Sequence, residues 1–595
     1  PVKVVFISYA VTICRDRTHD EYYFNRPERI TGDTPPQPFL DLGRKRIVER
    51  VVASECLRVA FSRLTDGPAW TPNSNHGTFG QIFEWCDYRE SVAAWLAEAR
   101  EVDEIIDRLT AHTPLSPGDV QDIRASIRHG LIQRIDRVVE EEKGSPDTEL
   151  SAALARYGVV PMFGFPTRVR MLWGEQVRSS KQLQDLVVSD RPLELAIRSF
   201  APGAEIVKDG EVHTVAGFVA YKPVGNRVLA VDPLGLPRIV GRCANCERLE
   251  LSSNLKCDVC GKPEQKIELY EPRGFRTTYR PRPYDDDQEV LSRISPPNLV
   301  PSGVPASVRG VMNLELRIYS QSRLVSINDN FGRGYVFRAQ ADKSVLAETA
   351  PAAVEPLRTI GEIRVTDALV VSPKQFNIGG GSIGLYELAS GRAAYTSFAE
   401  VLRRAAQVCL DLDPVEIAAG TLPVRVPVYD AAGAEVGSQI GAWIFLADTA
   451  ENGAGYAIEL GQENVFSQMV KDALNELRSA WEDKRHAEKC DTSCPDCLRS
   501  YNNAQLHSLL DWRLALDMLE LAAGEPLNIS RSLPADGEWM NAAANALQAS
   551  KMDIQGVPVI ARGDRCVVLC HPLWRVEDRF YSDLQRSVFD AAREE

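Results

Sequence analysis

Apolar residues recur at helical spacing in the first quarter of the chain and at strand spacing in its middle. In residues 44–61 they fall at Ile47, Val48, Val51, Val52, Cys56, Leu57 and Ala60, one stripe of a helix. Pro35, Pro36 and Pro38 mark an extended connection before it. Residues 90–109 and 119–143 predict two further helices. The second has Ser116 as its cap, Pro117 in its first turn and Val120, Ile123, Ile127, Leu131, Ile135 and Val138 on its apolar face. Arg124, Arg128, Arg134 and Arg137 lie mostly off that face and read as a solvated surface before a nucleic-acid surface. From residue 205 the texture changes. Residues 212–221, 266–270, 314–327, 335–338 and 363–371 are rich in β-branched side chains and predict strands. Helical spacing returns at 397–410, 464–486 and 507–522, and a strand at 566–570 precedes a last helix. No internal repeat is present.

Composition adds bounds to this α+β multidomain pattern. The 595 residues amount to roughly four domains of about 150 residues. Hydrophobic residues make up 44% and charged residues 25%, which excludes a mainly disordered chain. The formal charge of −14 excludes a generally basic nucleic-acid coat but leaves room for a local basic groove. No apolar run reaches the roughly 18 residues of a membrane span, and no secretory signal is recognisable. A cytoplasmic protein with reduced thiols is expected. The chain starts with Pro1 and a strand-like run at 2–7, which reads as the back part of a longer polypeptide.

The thirteen cysteines carry the clearest chemistry. Cys243 and Cys246, then Cys257 and Cys260 followed by Gly261, form two CxxC knuckles. Four soft thiolates at this spacing suit tetrahedral zinc, and a closed shell leaves no open position, so the site is structural. Cys490, Cys494 and Cys497 form a second cluster that needs a fourth ligand. His507 is the first choice, with His486 and Cys409 as alternatives. The remaining cysteines read as small apolar residues. No phosphate-binding loop of the Gly-x4-Gly-Lys-Ser/Thr type occurs. The Cys570-His571 pair reads as a strand-end histidine before a nucleophile pair.

Several segments together carry a resemblance. Residues 12–24, Pro27 to Ile30 and the helix from Arg44 resemble the stretch after the last helicase motif of large superfamily-two helicases. Residues 163–170 and 201–203 resemble their accessory region. Residues 397–417, 445–449, 453–456 and the Cys490 cluster resemble the MrfA-like zinc-binding domain that closes such proteins. These segments together resemble the phage-defence helicases of the Druantia and DISARM systems. That pattern often has a further cysteine two residues before the one matching Cys490, where this chain has Glu488. Neither RecA-like motor lobe nor the final helicase motif is present in the chain.

The resemblance implies five parts: the tail of a second RecA-like lobe at 1–65, a helical accessory segment at 66–160, a β-rich region at 161–395 with an inserted zinc ribbon, the zinc-binding domain at 396–522 and an α/β segment at 523–595. It implies the accessory body of an ATP-dependent DNA helicase in anti-phage defence, with ATP and Mg2+ belonging to the motor lobes. Expected partners are single-stranded or forked DNA, those lobes and defence-system subunits, with no membrane. Arg168 and Arg170 in one segment, and Arg273, Phe275, Arg276, Tyr279 and Arg280 in another, combine cations for phosphates with rings for bases and are the candidate grip. The alternative is a docking platform for a nuclease or partner subunit that never touches nucleic acid.

Overall fold

The computed structural model describes residues 42–594 except 69–76, 143–148, 163–168, 178, 180–184, 225–226, 285–295, 352–354, 374–376, 379–380, 383–385, 430–433, 533–537 and 576; outside that span it describes Phe24 and Pro27. Arg168 and residues 12–23 therefore lie outside the described residues.

The first helices are α1 (Lys45–Ser62), α2 (Trp85–Glu98), α3 (Arg100–Thr110), α4 (Pro117–Ala125), α5 (Leu131–Glu141) and α6 (Leu150–Arg156). Their stripes meet in one core that includes Val52, Leu57, Leu96, Ile106, Ile127 and Leu154, so the core runs across residue 65. Ser116 caps α4, its Oγ accepting from the Asp119 N–H at 3.1 Å while the Asp119 carboxylate accepts from the Ser116 N–H at 3.2 Å. Two breaks depart from the expected periodicity. The helix expected at 90–109 is interrupted at Ala99, whose ψ of 131° is extended. The Arg128 guanidinium donates to the carbonyls of Leu96, Ala97 and Ala99 at 3.0, 2.6 and 3.2 Å, so the broken end is satisfied. The helix expected at 119–143 contains a π-turn, Ser126–Gly130. Arg124 bonds Asp103 and Asp107 at 2.8 and 2.7 Å, so Arg124 and Arg128 hold the bundle together.

Most of the strands that follow fall into two large sheets. β1 (Val169–Trp173), β2 (Val187–Pro192) and β3 (Glu211–Phe218) belong to the first; β4 (Arg238–Cys243) and β5 (Glu264–Tyr270) to the second. β6 (Phe275–Thr277) returns to the first sheet, and β7 (Ser307–Val311) and β8 (Leu314–Asn328) extend the second. β9 (Tyr335–Ala339) and β10 (Val345–Thr349) complete the first in the order β9-β10-β3-β6-β1-β2, around Leu172, Phe200, Phe218 and Phe275. The second sheet is organised by β11 (Leu357–Pro373), which pairs along β8 on one edge. Its other edge is shared between β5 and, beyond helix α7 (Ala389–Leu410), the hairpin of β12 (Ile417–Tyr429) and β13 (Glu435–Asp448).

α7, α8 (Glu463–Trp481) and α9 (Trp512–Ala523) cover this sheet, and Leu316, Phe398, Leu402, Ile444, Phe466 and Leu516 fill the space between. A small sheet of β14 (Ser550–Ile554), β15 (Val557–Arg562) and β16 (Arg565–Val568) and a final helix, α10 (Asp583–Glu594), follow. This end is tied back by His571, fully buried, whose Nε2 lies 3.1 Å from the equally buried Asp517 Oδ2 on α9. Its Nδ1 accepts from the Leu573 N–H at 3.1 Å, so Nε2 is the donor, and His571 is a satisfied structural histidine. Among the described residues no helix is long and apolar enough to cross a membrane.

Candidate metal centres and interdomain junction

The first metal centre is built by one turn used twice. The Glu247 N–H donates to the Cys243 carbonyl at 3.0 Å, and the Gly261 N–H donates to the Cys257 carbonyl at 2.9 Å. Both turns end left-handed, with φ of +64° at Glu247 and +72° at Gly261, where glycine carries no penalty. The result brings four sulfurs together: Cys243 Sγ is 3.2 Å from Cys260 Sγ, and Cys246 Sγ is 3.6 Å from Cys257 Sγ. All four ligand atoms lie within 4.8 Å of one another. Burial pushes the Cys246 and Cys257 thiols up, so as bare thiols they resist ionisation. A divalent cation at the centre removes that conflict, which fits a structural zinc site.

The second centre corrects the choice of fourth ligand. His486, Cys490, Cys494 and Cys497 bring their ligand atoms within 4.8 Å. His486 lies on the short helix Lys484–Ala487, and the Cys490 N–H donates to the His486 carbonyl at 2.9 Å, so the two side chains are one helical turn apart. The His486 Nδ1 donates to the Trp481 carbonyl at 2.8 Å, and its buried Nε2 has no hydrogen-bond partner among the described residues. That division of labour is typical of a zinc-ligating histidine. His507 sits elsewhere, on a 3-10 turn, with Nε2 3.1 Å from both the Ser500 carbonyl and Asn503 Oδ1. It holds its own loop. Cys409 is exposed on α7 and outside the cluster. The Cys494 thiol is drawn down to about 5 by a hydrogen bond from Cys497, while burial lifts Cys490 to about 12. Metal binding requires the remaining thiols to lose their protons, so occupancy of this cluster depends on pH. The cluster is held by Trp512, whose Nε1 donates to the Cys490 carbonyl at 3.1 Å, and by Arg404, which donates to the Cys497 carbonyl at 2.7 Å. Cysteines of both centres border the same core beneath α7.

The expected grip is placed differently from its sequence reading. Phe275 is fully buried, edge-on to Phe200 at 5.6 Å, so its ring is unavailable to a base. Arg276 stacks 3.9 Å above the Tyr279 ring and donates to Ser344 Oγ at 2.8 Å, so this pair is closed on itself. Arg170 Nε donates to the Pro272 carbonyl at 2.5 Å. Only Arg273 and Arg280 of the described candidates are exposed. Strand alternation explains the difference: in β6, Phe275 and Thr277 point inward, and Arg276 is drawn onto the loop beside it.

A feature that sequence reasoning did not single out joins the helical core to the long sheet. Asp448 ends β13, and its carboxylate accepts the N–H groups of Ala454, Gly455, Tyr456 and Ala457 at 2.7, 2.7, 3.2 and 2.8 Å. Arg50 of α1 reaches the carbonyls of Asn452 and Gly453, and Arg46 pairs with the fully buried Asp367 on β11. Gly453 has φ of +72°, and a Cβ there would lie 2.3 Å from Asp367 Oδ2. The residues 453–456 that carried part of the resemblance are thus the clasp of this junction.

No family model matches the chain. Over 87% of its length the chain is 24% identical to the Druantia protein DruE of Escherichia coli (strain UMEA 4076-1), in an alignment of 615 residues. Among solved structures, MrfA, a DUF1998 helicase bound to DNA, matches with a TM-score of 0.30 and 10% identity, covering 71% of this chain and 46% of that one. A likeness that loose does not fix a shared fold. The chain is similar along most of its length to DruE, and it spans 31% of that relative's own length.

Proposed function

We propose that the chain is the accessory body of an ATP-driven nucleic-acid translocase in phage defence, with the motor in a separate part of the polypeptide. The observation that carries this reading is the similarity to a Druantia protein along 87% of the chain but 31% of the relative. The two closed four-ligand centres support it. Metal at these clusters would pin their short turns onto the large core that their cysteines border, as a body that transmits motor movement to a strand requires. The ATP and Mg2+ chemistry belongs to the motor; the body contributes grip and rigidity.

The test is equilibrium binding of a single-stranded oligonucleotide by the zinc-loaded chain across a salt series. Phosphate contacts give log K against log salt a slope of about −0.7 per contact, so a slope of about −2 or steeper is expected. No binding at about 50 mM salt contradicts the reading. It would favour the docking-platform alternative, for which Leu236 and Leu255, 94% and 93% exposed beside the zinc ribbon, offer apolar anchors.

A further inference from the structure

The helical core and the long sheet meet along a trough. Its wide end encloses about 730 Å3 between α1, β8 and residues 455–462. Its narrow end, about 90 Å3, lies between α1, α5 and residues 157–159. Arg46, Glu49 and Arg134 line both ends, so the two are adjacent. Eight arginines and lysines line the trough against four carboxylates, in a chain of formal charge −14.

Several of these cations are committed to the fold. Lys45 pairs with Asp119 and Asp122 at 3.1 and 2.6 Å, Arg46 with Asp367, and Arg50 with loop carbonyls. Others are not. Arg137, Arg309 and Arg323 have no carboxylate partner among the described residues, and Arg323 makes only a 2.8 Å hydrogen bond to the Gln321 carbonyl. Arg134 pairs with Glu49 through Nη1 at 2.7 Å, leaving its Nε and Nη2 buried and without a partner among the described residues. Two orphaned donors on one planar edge match two oxygens of a phosphate or carboxylate. The β8 wall is itself irregular here: its register shifts between Tyr319 and Ser322, and Gln321 has φ of +62°. Such a bulge re-aims the side chains around it.

We propose that this trough binds the phosphate backbone of a single-stranded nucleic acid, with Arg134, Arg137, Arg309 and Arg323 as the phosphate contacts. The proposal rests on the translocase-body reading and gives it a binding surface. The volume of the wide end lies within the range of ligand pockets, about 300–1,000 Å3. Tyr157 on the narrow end supplies an aromatic wall of the kind that sequence-tolerant sites use. A local cationic trough also explains how an acidic chain holds a polyanion, since field in a cleft is set by the lining and not by net charge.

The experiment compares fluorescence anisotropy of labelled oligo-dT with three zinc-loaded proteins: wild type, R137E/R309E/R323E and the control R238E/R333E/R565E. The control changes net charge equally at three exposed arginines away from the trough. Circular dichroism and zinc content verify that each is folded. The trough variant is expected to weaken binding about tenfold or more and to flatten the salt slope by about two, while the control stays within about threefold. Equal weakening by both variants, or none by either, overturns the proposal while leaving nucleic-acid binding by the chain intact. Displacement of oligo-dT by polyglutamate at equal charge concentration also overturns it, because the trough would then be an acidic-peptide site. A wild type that fails to bind oligo-dT removes the translocase-body reading itself.

Discussion

At His486 the two ring nitrogens have different duties: Nδ1 is held by the Trp481 carbonyl, and Nε2 faces three cysteine sulfurs. His486→Ala removes a ligand, whereas His507→Ala removes only a loop contact. Metal analysis of the purified proteins is expected to give about one zinc per chain for the first and about two for the second. The reverse would restore His507 as the ligand. Asp448 supplies a second test at this scale. Burial, and then the neighbouring Asp367, push its carboxyl up to about 6 against an ordinary value of 3.8, with four N–H donors opposing them. The folded state therefore holds this proton more tightly than the unfolded chain. Stability from this group is greatest below pH 4 and is lost as pH rises to about 6, by about 3 kcal/mol. Asp448→Asn does not titrate, so its Tm relative to wild type should rise between about pH 4 and 6 and level off above. A difference independent of pH contradicts this account of Asp448.

The elements show how far one chain of letters carries. Periodicity and β-branched runs located α1, β5, β8 and β9 to within two residues, and the end of α7, whose start at Ala389 lies before the expected 397. The hairpin of β12 and β13 was not legible as strands. β13 is buried on both faces from Gly441 to Asp448 apart from Trp443, so alternation is lost, and β12 carries Pro423 and Pro427. Those prolines are tolerated because, among the described residues, β12 pairs with β13 alone and its other edge needs no N–H. Among the metal centres, the CxxC pairs were legible outright. His486 stands at His-x3-Cys, a one-turn spacing that the sequence carries in full, whereas His507 reads as a ligand only if residues 501–503 turn the chain back. The cores predict how metal loss propagates. After chelation, hydrogen exchange should accelerate in residues 240–270 and 485–510 while α1 to α6 keep their protection, since the helical core contains neither centre. Uniform loss of protection would mean that the helical core depends on the zinc centres.

For the molecule as a whole, an acidic chain of formal charge −14 with two four-ligand clusters that fit zinc needs a local surface to meet a polyanion. The helical core, the core that both cysteine clusters border and the clasp at 448–457 place a cationic trough between the bundle and the long sheet. The aromatic-basic run at 273–280 is largely internal, so Arg273→Glu with Arg280→Glu should cost at most two phosphate contacts and leave most of the affinity. The most direct measurement is photocrosslinking of a 4-thiothymidine oligonucleotide to the zinc-loaded chain, followed by mass spectrometry of the adducted peptides. The account predicts adducts clustered on peptides containing Arg134, Arg137, Tyr157, Arg309 and Arg323. Adducts confined to residues 273–282, or none at a salt concentration where the oligonucleotide is bound, would contradict it.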